Sequence, residues 1–289
     1  MVSEKIMEAL PKLTKKQATL GRYICENLYA VALMNAPMIA KQAGVSEATL
    51  TRFVYTLGYS SFSEFLLDLR RQTQESNLNN PFRQEQYGRK DRPVYKRVFE
   101  LEKSLMDETL NTIDSDVFET CINKIVAADQ ILLVGGPTHS FLTDYLTNFL
   151  PLFHDNVMAM HSLGMPFFGA LESLTEKSVA IVLSYPRYPV ETQKMLEAVA
   201  NRGITIIGIT DSRFSPIIRY CTHYLLTPQR YLMIFVDPNA PAITLMHAML
   251  VAIYQKNEAY IKKRLNNYEK TIISTDMFVF KDYNFMSKL

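Results

Sequence analysis

Two short runs carry side chains able to grip a small anion. The first is Val134-Gly135-Gly136-Pro137-Thr138-His139-Ser140, which follows the apolar residues 131–134. Glycines let a ligand approach the backbone closely. Gly136, Thr138, His139, Ser140 and the amides of a following helix suit an anion. A plain strand-to-helix turn with a serine near the cap accounts for the same residues. The second run is Ser184-Tyr185-Pro186-Arg187-Tyr188-Pro189-Val190-Glu191, after the apolar residues 179–183. A guanidinium binds phosphate or carboxylate through paired hydrogen bonds, so Arg187 between Tyr185 and Tyr188 fits an anionic ligand. Pairing with Glu191 would instead close the loop as scaffolding. Thr210 and Ser212 form a third place, which reads equally as a turn and a helix cap. Bond-making chemistry is less well served. Proton-transfer chemistry needs a base beside the reacting atom and a second proton carrier. Glu191 with His139 or His161 is the available set, without a compact constellation around it. No catalytic residue and no cofactor is therefore expected.

These runs need elements to hold them. Short apolar segments recur at 131–134, 157–160, 179–183, 204–209 and 224–226, with helical stretches near 139–150, 165–174, 189–202 and 214–219. Near-continuous apolar strands alternating with helices predict a parallel, doubly wound sheet covered on both faces. Ligands of such sheets bind beyond the carboxyl ends of the strands, where both runs fall. Helices are expected over 94–112 and 114–127. A long one over 240–269 carries a broad apolar stripe that fits either a core or a face between subunits.

The front of the chain has a different texture. Residues 1–71 read as consecutive short helices, with capping boxes at Thr14–Gln17 and Ser61–Glu64. Within 36–57, Ala40 offers a small contact, Gly44 a turn and Ser46 a cap, and Leu50 and Phe53 point inward. That is the pattern of a helix-turn-helix. Ser46, Glu47, Thr49, Thr51, Arg52 and Tyr55 then fall at the start or on the outer face of the second helix. Short hydroxyls and an arginine there suit base edges and phosphates of double-stranded DNA. Spacing alone leaves a helical hairpin with a polar face as an equal reading.

Charge is uneven within a net of +2. Residues 76–97 hold six bases and two acids, whereas 1–75 hold nine and seven. Residues 72–93 are polar and aperiodic, the texture of a linker. Cys25, Cys121 and Cys221 lie far apart and the five histidines form no i, i+4 pair, so neither a disulfide framework nor a metal site is expected. The reading is a cytoplasmic protein with no membrane segment.

The front motifs resemble the N-terminal domain of RpiR-type bacterial transcriptional regulators. The resemblance rests on Leu13-Thr14-Lys15-Lys16-Gln17, on the run from Ile39 to Phe53, and on Leu57-Gly58-Tyr59-Ser60-Ser61-Phe62-Ser63-Glu64-Phe65. It implies a sugar isomerase (SIS) domain behind it, flavodoxin-like, that senses phosphorylated sugars. The expected organisation is a helix-turn-helix domain over 1–75, a linker over 76–93, the SIS-like domain with flanking helices over 94–271 and a tail over 272–289. Such domains carry a Ser-x-Ser-Gly-x-Thr loop followed by an acid. Here Ser184 and Glu191 match, while Pro186, Arg187 and Pro189 replace serine, glycine and threonine. The resemblance implies a homodimer or tetramer on a palindromic operator, controlled by a sugar phosphate. An isomerase with an accessory helical domain, or a regulator whose SIS domain only dimerises, are the alternatives.

Overall fold

A computed structural model describes residues 2–78, 93–213, 215–229 and 236–275. Among these the chain divides into two compact units, one up to Phe99 that also takes Val236, the other from Glu100 onward. Each is built on its own core.

The first unit is helical: α1 (Val2–Ala9), α2 (Lys15–Glu26), α3 (Leu28–Leu33), α4 (Ala36–Gln42), α5 (Glu47–Thr56) and α6 (Phe62–Leu78). Thr14 and Gln17 complete the capping box that starts α2. At α6 the pattern shifts by one residue from expectation. Ser61 Oγ accepts from the Glu64 amide, but the Glu64 carboxylate reaches Ser60 N, at 2.8 Å, instead of closing a box on Ser61. Ile6, Leu20, Ile24, Ile39, Leu50, Phe53, Phe65 and Leu69 are fully or almost fully buried. Helix α6 runs to Leu78, past the expected boundary at 75, so the first residues of the predicted linker are helical. The remainder, 79–92, lies outside the described residues.

The second unit opens with α7 (Val94–Thr112), whose first turns precede the unit boundary, and α8 (Ser115–Ala127). Then follow β1 (Ile131–Gly135), α9 (Ser140–Phe149), β2 (Val157–Met160), α10 (Met165–Ser173), β3 (Val179–Leu183), α11 (Val190–Ala200), β4 (Thr205–Thr210), β5 (His223–Leu226), α12 (Ala240–Lys256) and α13 (Glu258–Ser274). All strand pairs are parallel, in the order β2-β1-β3-β4-β5. Every residue of β1 and β3 is buried, as expected of strands covered on both faces. Alternate residues feed two cores. Ile131, Leu133 and Ile181 pack with α8, α9 and α12. Leu132, Val134 and Val182 pack with α10 and α11.

Two expectations are corrected here, and one open alternative is resolved. The helix expected over 214–219 is only a 3-10 turn, Ile218–Tyr220. The long final helix breaks at Asn257, where φ −136° and ψ 38° leave the helical region, and α13 continues to Ser274 into the predicted tail. Residues 276–289 of that tail lie outside the described residues. The apolar stripe of α12 is core: Leu245, Met246, Met249 and Ile253 are buried against the sheet.

Gly44 isolates one term of this stability. Its φ is +66°, and a Cβ there would touch nothing within 4 Å. Gly44→Ala should therefore lower the stability of the helical unit by about 1–2 kcal/mol from backbone strain alone. Gly44→Asn should cost less, and urea midpoints of the three proteins measure the difference.

Candidate functional site

The helix-turn-helix is assembled from local bonds. Asn35 caps α4 by accepting from Met38 N. The turn is closed by Val45 N donating to Ala40 O at 2.9 Å, with Gly44 in the left-handed region. Ser46 caps α5: its Oγ accepts from Thr49 N and lies 2.9 Å from Thr49 Oγ1. Leu50, Phe53 and Val54 are buried, which turns the other face outward. Ser46, Glu47, Thr51, Arg52 and Tyr55 are exposed there and Thr49 is half-buried. The helix already uses some of their polar groups. Thr51 Oγ1 donates to Glu47 O and Arg52 Nε to Ala48 O.

In the sheet unit, strand order reverses around β1. The chain leaves β1 for β2 on one side and then enters β3 on the other. Connections diverge there, and a crevice opens beyond the strand ends. Both candidate runs border it. Gly136 is buried, and a Cβ on it would lie 2.6 Å from Thr192 Oγ1 and 2.9 Å from Pro189 Cγ. The close approach that Gly136 permits is thus taken by the neighbouring loop, not left for a ligand. Thr138 is exposed, with Oγ1 2.9 Å from His139 Nδ1. His139, 3% exposed, packs against Tyr185 with ring centroids 5.0 Å apart and the planes tilted by 51°, and Ser140 is the first residue of α9.

The second loop is tighter than its sequence suggests. Tyr188 N donates to Tyr185 O at 2.9 Å, with Pro186 and Arg187 between them. Arg187 has φ +81° and Tyr188 φ +30°. Proline followed by a left-handed residue is the signature of a type II turn, whose third position ordinarily takes glycine. Both tyrosines are buried. Tyr185 is fully buried with its hydroxyl 2.6 Å from Thr227 Oγ1, and burial pushes its phenol well up. Tyr188 donates to Asp211 Oδ1 at 2.8 Å, and burial raises the Asp211 carboxyl above its ordinary range. Glu191 accepts the Leu163 amide at 2.7 Å and so fastens the end of β2 to α11. Arg187 itself is exposed.

Buried polar atoms without a hydrogen-bond partner gather around this crevice: Ser184 Oγ, Thr192 Oγ1, His139 Nε2 and Asp237 Oδ1. Ser184, Thr192 and His139 are at most 3% exposed. An orphaned buried polar group costs about 1–3 kcal/mol, so several in one place call for a polar occupant. A hollow of about 350 Å³ at the other end of the sheet, between Ile125, Phe153, Asn156 and Ile253, is different. Its polar groups are already paired: Asp129 with Thr175 and Ser178, Asp155 with Tyr260, and His154 with Ala128 O.

Comparison with known proteins agrees with both halves. A helix-turn-helix domain of the rpiR family matches residues 1–76, and a SIS domain matches 124–256. The chain belongs to the RpiR-type transcriptional regulators. An uncharacterized HTH-type transcriptional regulator of Clostridium perfringens is 26% identical over 262 residues, which covers 87% of this chain and 92% of the relative. The NanR protein of Vibrio vulnificus, solved complexed with ManNAc-6P, aligns over 97% of this regulator and 100% of its own chain, with TM-score 0.69 and 16% identity. The sugar isomerase domain of an RpiR transcription factor from Sphaerobacter thermophilus covers 62% of this chain and 99% of its own, with TM-score 0.59 and 21% identity. Among the described residues, no helix is long and apolar enough to cross a membrane, and no three metal-ligating side chains converge.

Sequence reasoning missed Thr192 and Asp237. Thr192 reads as a helix interior, and Asp237 stands nearly a hundred residues from His139, whose Nε2 it approaches to 3.5 Å. No local signal joins them. The regulator's strained turn can be tested by two truncations that remove the same side chain. Arg187→Gly relieves the left-handed strain and Arg187→Ala keeps it. The glycine variant should be the more stable by about 1 kcal/mol in thermal unfolding.

Proposed function

We infer that the regulator binds a palindromic operator through α5, as a homodimer or tetramer in the cytoplasm, and that a sugar phosphate in the crevice of its SIS domain controls that binding. The outward hydroxyls and Arg52 of α5 would face base edges and phosphates, with the positive end of the helix towards the DNA. In the crevice, Ser184 Oγ and Thr192 Oγ1 would donate to the phosphate. The start of α11, which has no side-chain cap, would supply amides, and Arg187 a charge at the rim. His139 and Ser140 would meet the sugar from the β1 side. The observation that carries this reading is the group of orphaned buried atoms at the switch point. NanR, of similar fold and solved complexed with ManNAc-6P, supports the ligand class.

The isomerase reading is weaker on particular side chains. Glu191 is held by the Leu163 amide, and His161 Nε2 lies 2.9 Å from Asp144. Neither is poised as the base of a shared acid–base pair. A SIS domain used only for dimerisation would have no reason to keep Ser184, Thr192 and His139 buried and unpartnered.

Two measurements test the halves separately. Arg52→Ala should weaken operator binding by about 1–3 kcal/mol if the guanidinium reads a base, and less if it touches only phosphate. Unchanged affinity in a gel-shift titration removes Arg52 from the recognition face. Ser184→Ala deletes an orphaned hydroxyl, so ligand-free stability should hold or rise by up to about 1 kcal/mol. The thermal shift produced by sugar phosphates should shrink. A variant that loses stability yet keeps the full shift would make Ser184 structural.

A further inference from the structure

The segment leading into α12 joins the crevice to α7 by two links. On one side Asp237 stands against His139, with Oδ2 3.5 Å from Nε2. Neither His139 Nε2 nor Asp237 Oδ1 has a hydrogen-bond partner. On the other side α12 begins without a cap of its own, since Asn239 makes no side-chain cap bond. The amides of Ala240 and Asn239 are directed instead at the carboxylate of Glu102, reached from α7. A carboxylate at a helix start accepts charge-assisted bonds and is favoured by the helix dipole. Burial holds the Glu102 carboxyl above its ordinary range despite those amides. Its Oε2 is buried and unpartnered.

Residues 237–240 therefore form a short strut between His139 and Glu102. Asn239 Nδ2 braces it by donating to Asp237 O at 2.8 Å. Pro238 fixes a backbone angle within it and Pro241 another just beyond it, so a shift at one end is carried to the other instead of being absorbed. We propose that this strut transmits occupancy of the crevice to α7, with Glu102 as its positioning residue. A ligand hydroxyl reaching His139 Nε2 and Asp237 would re-pair both atoms and draw the strut. The start of α12 would then move against Glu102, whose spare oxygen can take up a new bond. Helix α7 is a fitting receiver: it follows the linker region, and the division between the two compact units falls inside it. The proposal rests on the reading that the crevice takes a sugar phosphate, and it adds how that binding is reported.

Hydrogen exchange on the full chain tests it, with ManNAc-6P, glucosamine 6-phosphate and inorganic phosphate as probes. In the unmodified protein, a probe that raises the thermal midpoint should also change amide exchange within residues 100–110, by about 5-fold or more. Glu102→Ala should still bind that probe, seen as a midpoint shift, but lose the change in α7. Glu102→Gln retains the acceptor oxygen and should keep it at least in part. If a probe binds and α7 does not respond, or if α7 responds equally in Glu102→Ala, the strut is not the route while the effector reading stands. If no probe shifts the midpoint of the unmodified chain, the effector reading fails and this proposal with it.

Discussion

A parallel sheet cannot cover the ends of its strands where its connections part. In this regulator the parting lies between β1 and β3, the two strands most completely buried. Everything placed at their carboxyl ends must either be paired within the protein or wait for something polar to arrive. Some groups are paired: Tyr185 with Thr227, Tyr188 with Asp211, Glu191 with Leu163 N. Others are not, and Ser184, Thr192 and His139 keep buried polar atoms unpartnered on the segments that follow β1 and β3. That division between spent and waiting groups separates the frame of the crevice from its contents.

The frame explains an apparent loss. The loop after β3 resembles a phosphate-binding loop in which proline and arginine have replaced small residues. Its geometry shows what the replacements do. Pro186 sets up the turn, Pro189 packs on Gly136, and the two tyrosines pin the loop to β4 and the stretch after β5. The next helix brings the buried, unpartnered Thr192 hydroxyl to the same place, and Arg187 stays exposed. The strain of a left-handed arginine, about 1–2 kcal/mol, is small beside the burial of two aromatic rings that holds the turn in place.

What could be read from the sequence follows the range of the interactions. The helix-turn-helix depends on bonds between residues three to five apart: Thr14 with Gln17, Ala40 with Val45, Ser46 with Thr49. Types and spacings announce such contacts, so α4, the turn and α5 were legible almost residue by residue. The central strands were legible because burial on both faces demands unbroken apolar runs, while the half-buried edge strands β2 and β5 carry shorter ones. The breaks at Asn257 and after Glu26 were not, since no glycine or proline marks them. In the crevice, the loops were legible and their partners were not. Whether Tyr185 faced a ligand depended on Thr227, and whether Glu191 was available depended on Leu163. The role of Asp237 required knowing that the chain returns to His139 after four strands.

The central claim is that one chain holds two linked equilibria, DNA at α5 and a sugar phosphate at the switch point. Linkage makes that claim quantitative, because each ligand must change the other's affinity by the same factor. The direct measurement is a pair of titrations on the full-length protein: an operator fragment recovered by selection, with and without a saturating sugar phosphate, and the sugar phosphate with and without saturating operator. Equal ratios, in the range of about 5–150-fold, are the predicted result. A sugar phosphate that binds the crevice tightly yet leaves operator affinity unchanged would contradict the account.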